Sequence, residues 1–291
     1  MEDLERAENR LDNIRTVEPI LSALRTISLG SWQAALKRRD GARLYAERLA
    51  VMLPALSPHI PSLSSPKMRG KEGGTRVVTL VVGSERGLCG RFNAAIVEQT
   101  ERYLAEQETA GVRVELVVMG KRAARILQKR EEGLVSSAAL PAAGLPPSRL
   151  AFDLTRRWLA RYEEHELDAV DLIYNAYQGT GRYEPAVVRL IPSTLPTSEA
   201  AAPPWPPIIE TDPASLYTRV VEQWSAVRLY ELLLDSAAAE HSARFQLMEA
   251  ATQNAERLID ELTLALQTAR QQAITQEMQE LAVGAGLIGP R

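Results

Sequence analysis

The residues best placed to do chemistry lie in one loop, Ser84–Asn93, which reads SERGLCGRFN. It follows a valine-rich run directly and precedes a helical pattern, which is where phosphate-binding loops sit. The spacing does not fit that chemistry. A G-x-x-x-x-G-K-[ST] loop needs a lysine and a hydroxyl after its last glycine, whereas Gly90 is followed by Arg91 and Phe92. The loop fails as G-x-G-x-x-G too, and a structural tight turn is the better reading. Cys89 lies near an expected helix N-terminus, where a nucleophilic thiolate would be favoured. Flanked by Leu88 and Gly90, it reads more naturally as a small buried hydrophobe. His59, His165 and His241 stand at no metal-ligand spacing with one another or with the cysteine. Most carboxylates fall on helical faces opposite apolar ones. The expectation is a chain with no catalytic residue, no metal site and no cofactor.

The elements around this loop explain more of the sequence than the loop does. From Ala214 to Val283 there is neither glycine nor proline, and Pro213 and Gly284 bracket the run. Stepping by four and three from Leu234 gives Ala238, His241, Phe245, Met248, Thr252, Ala255, Ile259, Leu262, Leu266, Ala269 and Ala273. An apolar 4-3 spacing kept over this length is that of a left-handed coiled coil, with His241 as a packed or register-setting polar residue. A plain amphipathic core helix would not need such length. The rod asks for a partner helix, and Leu4 to Leu53 supplies a second helical pattern, with Leu4, Ala7, Leu11, Ile14, Leu21 and Leu24 on one face. Pro19 lies inside it, and a kink rather than an end is expected there because the apolar pattern resumes beyond it.

Between the two helices, strands are expected at Val77–Ser84, Val112–Met119, Ala169–Tyr174 and Pro185–Ile191. Helices are expected at Ala94–Gln107, Lys121–Lys129 and from Ser148, capped by its hydroxyl, to about Glu164. Ala138–Pro147 reads as a loop. Strands alternating with helices argue for a small α/β domain with a largely parallel sheet. The fold class is therefore α/β, an antiparallel coiled coil of long N- and C-terminal helices with this domain inserted. Its divisions are residues 1–53 (first helix), 54–75 (linker), 76–191 (Rossmann-like α/β domain), 192–213 (proline-rich linker) and 214–291 (second helix and tip). Being longer, the second helix should project past the first.

Composition sets bounds on partners. A net charge of -3 excludes a strongly basic nucleic-acid binder by charge alone. Arginine outnumbers lysine 29 to 5, which suits contact with acidic surfaces and is equally explained by base composition. One cysteine rules out an internal disulfide framework and points to a reducing compartment. No apolar stretch approaches a membrane span, so any membrane connection is expected through partners.

Two stretches then resemble a known family. Glu240–Leu287, EHSARFQLMEAATQNAERLIDELTLALQTARQQAITQEMQELAVGAGL, closely resembles the C-terminal segment of the gamma subunit of F-type ATP synthases, and GSERGLCGRFN resembles that family's S-D-R-G-L-C-G-G-F-N loop. The first helix is similar more loosely, with departures at Pro19, Gly30 and Ser31; Glu85, Arg91 and Gln267 also depart from the pattern. The resemblance implies a non-catalytic central-stalk rotor, one copy per complex, passing rotation of a membrane ring driven by protons or sodium to a catalytic ring that makes or hydrolyses ATP. Implied partners are the alpha, beta and epsilon subunits and the membrane c-ring, with the chain peripheral on the cytoplasmic face of a bacterial-type membrane. By position in the motif, Arg270, Gln271 and Thr275 would meet a catch loop of the beta subunits, with Leu24 facing that region. Leu281, Val283 and Leu287 would lie at the apolar bearing of the tip. Arg86, Gly87, Leu88, Cys89, Gly90, Phe92 and Asn93 would form the signature loop, in a structural role. The departures leave open a divergent gamma subunit of an alternative ATPase, or a gamma-like scaffold or regulatory paralogue outside any rotary complex; a doubly wound enzyme is a more distant alternative, weakened by the absent phosphate loop.

Overall fold

Asp212 and Pro213 start the longest element. The Asp212 carboxylate accepts hydrogen bonds from the backbone N–H (2.8 Å) and hydroxyl (2.7 Å) of Ser215, and Pro213 occupies a first helical position where its missing N–H costs nothing. The computed structural model describes residues 2–56, 75–130, 135–138, 144–192 and 208–285. His59, the 57–74 and 193–207 stretches of the two expected linkers, residues 139–143 of the expected loop, and Leu287 lie outside them.

In chain order the elements are α1 (Glu2–Leu56), β1 (Arg76–Val82), α2 (Phe92–Thr109), β2 (Arg113–Met119), α3 (Lys121–Arg130), β3 (Val135–Ala138), α4 (Ser148–Glu163), β4 (Ala169–Gly179), β5 (Arg182–Ile191) and α5 (Pro213–Gly284). Helix α1 does not end at Pro19, Gly30 or Gly41. Two expectations need correction. Ser148 does not cap α4: Pro147 holds the capping position in an extended conformation, and no side chain bonds the helix start. A four-residue strand, β3, also joins the sheet where no strand pattern was read.

The chain packs as two compact units, one of residues up to Ile27 and from Phe245 onward, the other Ser28–Arg244. The larger unit holds a five-stranded sheet ordered β3-β2-β1-β4-β5. Its first four strands are parallel and β5 returns antiparallel beside β4. Strand β1 is buried on both faces, as its near-continuous valine run requires. Val78, Leu80 and Val82 face Ala151, Leu154 and Trp158 of α4 and Leu229, Leu232 and Leu233 of α5. Val81, with Leu116 and Val118 of β2, faces Ile96, Val97 and Tyr103 of α2 and Leu127 of α3. Ala42, Ala46 and Ala50 of α1 recur every four residues, and with Leu49 and Leu53 they pack on Val220, Trp224, Val227 and Leu234 of α5. Small side chains on that stripe let the two helices approach closely.

The smaller unit pairs the start of α1 with the second half of α5. Arg25 meets Glu249 at 2.9 Å and Arg270 meets Glu8 at 2.5 Å, an order that makes the helices antiparallel. Met248, Thr252, Ala255 and Leu266 of the 4-3 series are buried, Phe245, Ile259, Leu262 and Ala269 half-buried, and Ala273 exposed. Ile14 and Leu21 line one groove with Ala251, Ala255 and Leu258.

One ionic cluster lies inside the larger unit. Asp171 on β4 is buried, takes both forks of Arg189 from β5 at 2.7 and 2.9 Å, and accepts the Tyr103 hydroxyl of α2 at 2.6 Å. Burial and the Asp171 bond push the Tyr103 phenol well above its usual range. Removing one member of such a set leaves the others desolvated without a counter-group. Asp171→Ala should destabilise the chain by about 3–5 kcal/mol in urea unfolding, with Asp171→Asn costing less.

Candidate functional site

The loop after β1 owes its shape to close backbone approach. A Cβ on Gly83 would fall 2.3 Å from the Ala123 Cβ, and one on Gly120 would fall 2.4 Å from the Gly83 carbonyl, so the end of β1 comes this close to the β2–α3 turn and to α3 only because both are glycine. Beyond Gly83 the side chains lock the turn. The Ser84 backbone N–H donates to Asn93 Oδ1 (3.0 Å), Asn93 Nδ2 donates to Ser84 Oγ (2.7 Å), and Ser84 Oγ donates to the Arg86 carbonyl (2.6 Å). Leu88 (φ 63°) and Gly90 (φ 60°) both take the left-handed conformation, which is costly for leucine. Glu85, drawn onto Lys121 at 2.6 Å, ties the turn to the start of α3. Burial would raise that carboxyl, but its bonds to Lys121 hold it below the ordinary range.

Cys89 is buried with Phe92 against Ala239 of α5, beside Tyr177 and Tyr183. The Phe92 and Tyr183 rings meet edge-on at 5.3 Å between centroids. Burial pushes the Cys89 thiol up, the opposite of what a nucleophile needs. Among the described residues no group of three His, Cys, Asp or Glu side chains is arranged to hold a metal ion. The signature residues Gly87, Cys89, Phe92 and Asn93 thus come together as a packed joint, while Arg86, Leu88 and Gly90 face outward.

The joint closes on α5 through Arg244, a residue the sequence reading did not single out. Its guanidinium donates to the carbonyls of Gly87 (3.2 Å) and Arg86 (3.3 Å), pairs with Glu240 (2.5 Å) and meets His241 Nδ1 (3.2 Å). Because the guanidinium can only donate, His241 Nδ1 must accept, so the imidazole is neutral with its proton on Nε2. Burial, and then Arg244, push the His241 pKa down to about 4. On the opposite face of α5, Asp235 accepts the Tyr177 N–H (3.1 Å) and pairs with Arg39 of α1 at 2.8 Å. Arg39 also lies over the Tyr177 ring, 5.8 Å from its centroid.

The residues expected at a partner's catch loop are in the smaller unit. Arg270 is paired with Glu8, Gln271 is exposed, and the Thr275 hydroxyl donates to the Gln271 carbonyl at 2.7 Å. Leu24 is not brought to them. Its neighbour Arg25 is level with Glu249, and the 21 residues from there to Arg270 span roughly 31 Å of helix. Leu281 and Val283 are exposed. Glu8 and Glu249 were missed because neither belongs to any apolar pattern.

Between about pH 6.5 and 4 the unfolded chain takes up a proton at His241 that the folded chain refuses, so stability falls as pH drops through that window. His241→Gln should flatten the decline, and thermal melts of both proteins from pH 7 to 4 measure the difference. Equal slopes would remove His241 from the account.

Comparison with known proteins adds to this geometry. A family profile described as ATP synthase matches residues 3–286. The ATP synthase gamma chain of Rubrobacter xylanophilus is 31% identical, covering 98% of each chain. That of Chlorobaculum tepidum is 30% identical over 95% of each. Among solved structures, a chain from the central stalk and c-ring of the Tetrahymena thermophila mitochondrial ATP synthase superposes with a TM-score of 0.56 at 19% identity, covering 80% of this chain and 99% of that one. One from the Euglena gracilis mitochondrial ATP synthase rotor gives 0.59 at 14% identity, covering 94% and 99%. At such identities the structures bear on the fold, which they share with this chain: long terminal helices around a small, mostly parallel sheet. With the profile spanning nearly its whole length and relatives alike from end to end, the chain belongs to the ATP synthase gamma chain family.

Proposed function

We propose that this chain is the central-stalk rotor of a rotary ATP synthase, carrying rotation of an ion-driven membrane ring to a catalytic ring of alpha and beta subunits. The observation that carries this reading is the end of α5. From Arg270 to Leu281 every residue is exposed, and Ile274, Met278 and Leu281 recur at four and three residues as one apolar stripe, with Val283 beyond. Each of the four side chains is more than half exposed. A helical end with an apolar stripe and no covering among the described residues of its own unit fits a surrounding bearing, where each such side chain gains about 1.5–3 kcal/mol on burial. Rotation can then drive a neighbour's conformation only through contacts that differ between its states.

In this role the chain does no chemistry itself and nucleotides bind elsewhere. Arg270, Gln271 and Thr275 form one contact level with the beta subunits, and Leu24 forms a second, lower one. The larger unit is the foot that meets the epsilon subunit and the c-ring. In this reading the chain is held peripherally, at the cytoplasmic face, through these partners; no helix among the described residues is long and apolar enough to cross a membrane.

Gentle detergent extraction should recover the chain with alpha and beta subunits, and its isolation without them would sink the reading. Arg270→Ala with Gln271→Ala should slow coupled ATP turnover on the order of tenfold, the loss of roughly one charge-assisted hydrogen bond. The free chain should lose less than about 1 kcal/mol, because the Arg270–Glu8 pair is exposed. Unchanged turnover would take these residues out of the contact.

A further inference from the structure

We propose that the larger unit grips α5 with a two-jawed torsional clamp, Arg244 on one side and Ser242 on the other, which fixes the helix against rotation about its own axis. The reading rests on the rotor function above, since only a shaft under load needs such a device. Apolar packing of Leu229, Leu232, Leu233 and Ala239 holds α5 against the sheet, but being non-directional it restrains rotation less sharply than a hydrogen bond. Hydrogen bonds to fixed backbone groups are directional and set one rotational position.

The first jaw is the signature loop. All three nitrogens of the Arg244 guanidinium are engaged, by the Gly87 carbonyl, by the Arg86 carbonyl together with Glu240, and by His241. Two consecutive carbonyls reach one guanidinium, which extended backbone forbids because its carbonyls alternate in direction. The turn that ends at the left-handed Leu88 makes this convergence possible, and the Ser84–Asn93 bonds keep it in place. The left-handed Leu88 thereby gains a role: the turn it ends aims the Arg86 and Gly87 carbonyls at the shaft. Glu240, one turn before Arg244, holds the guanidinium plane and neutralises it where Arg244 is only 7% exposed.

The second jaw is the β4–β5 turn. The Gly181 N–H donates to Ser242 Oγ at 2.5 Å, and that hydroxyl donates to the Gly179 carbonyl at 3.4 Å. Ser242 is fully buried. Two residues along a helix are about 200° around it, so Ser242 and Arg244 project from nearly opposite faces of one turn. Asp235, seven residues before Ser242, lies on the same face as Ser242 and accepts the Tyr177 N–H from the same hairpin. The jaws are joined to each other through the Phe92–Tyr183 ring contact and through Asn175 Nδ2, which donates to the Phe92 carbonyl at 2.9 Å. Bonds on opposite faces resist rotation in either sense.

The test begins with the free chain. Spin labels on cysteines introduced at the exposed positions Glu106 and Arg219, both in the larger unit, report the spread of distances between α2 and α5 by pulsed electron resonance. Arg244→Met keeps the apolar stem and removes the donors. It should broaden the distribution while the chain stays helical and melts cooperatively, and Arg244→Lys should recover part of the width. Ser242→Ala should broaden it independently, so that the proposal remains open to test if the Arg244 variant fails to fold. Unchanged widths in the folded variants overturn the clamp. In the assembled complex, a bead fixed to the larger unit should show wider angular fluctuation and a loss of gradient-driven ATP synthesis in Arg244→Met, with ATP hydrolysis by the detached catalytic ring retained. Wild-type stiffness and synthesis in that variant also overturn it. If the wild-type chain never assembles with alpha and beta subunits, the rotor reading falls, and the distance widths still decide whether the two jaws hold α5.

Discussion

The rest of the structure depends on the burial of the middle of α5 within the larger unit. From Trp224 to Ala239 nearly every residue is buried, including Ser225, Glu231 and Ser236. A helix segment buried to this extent has to satisfy several neighbours in one sequence. Leu234 serves α1, Leu229, Leu232 and Leu233 serve the sheet, Ala239 serves the signature loop, and Asp235 links α1 to β4. Charged members survive burial there because each has a fixed partner, as Asp235 has Arg39 and Glu231 has Arg228.

This shared burial explains what the sequence made legible. The 4-3 series from Leu234 is a one-partner pattern, and it reads cleanly where α5 has one partner, from Met248 to Leu266. Within the larger unit the same series records only the contact with α1, because Leu229, Leu232 and Leu233 follow a different face toward the sheet. The two-sided burial of β1 was visible as an unbroken valine run. Strand β3, sequence VSSA, was not, because a short edge strand draws its order from pairing with β2 and carries little β-propensity of its own. Strand β4 runs on past Tyr174 to Gly179 for a similar reason. Its polar end pairs with β5 and supplies the turn that reaches Ser242.

The site was legible in outline. The loop announced itself by its glycines, and Cys89 by its small size between apolar neighbours. What holds the loop to α5 was not readable, since the acceptors of Arg244 are backbone carbonyls, which every residue possesses. Arg270 and Gln271 stood out only through family resemblance. The separation of Leu24 from them is a matter of helix register, which one sequence does not reveal when either of two antiparallel helices can slide by a heptad.

The position of α5 in the chain has a consequence for biosynthesis. Strands β1, β2 and β4 and helix α4 leave the ribosome well before Leu229, Leu232 and Leu233, the residues that cover their shared face. Until the last quarter of the chain emerges, Leu80, Val82, Val170 and Leu172 have only α4 for cover, and the Ala42–Leu53 stripe of α1 lacks its counterpart. The nascent protein therefore spends most of its synthesis with open apolar surface, the state in which chaperones act and aggregation competes. Closure comes late, when α5 packs against both the sheet and α1.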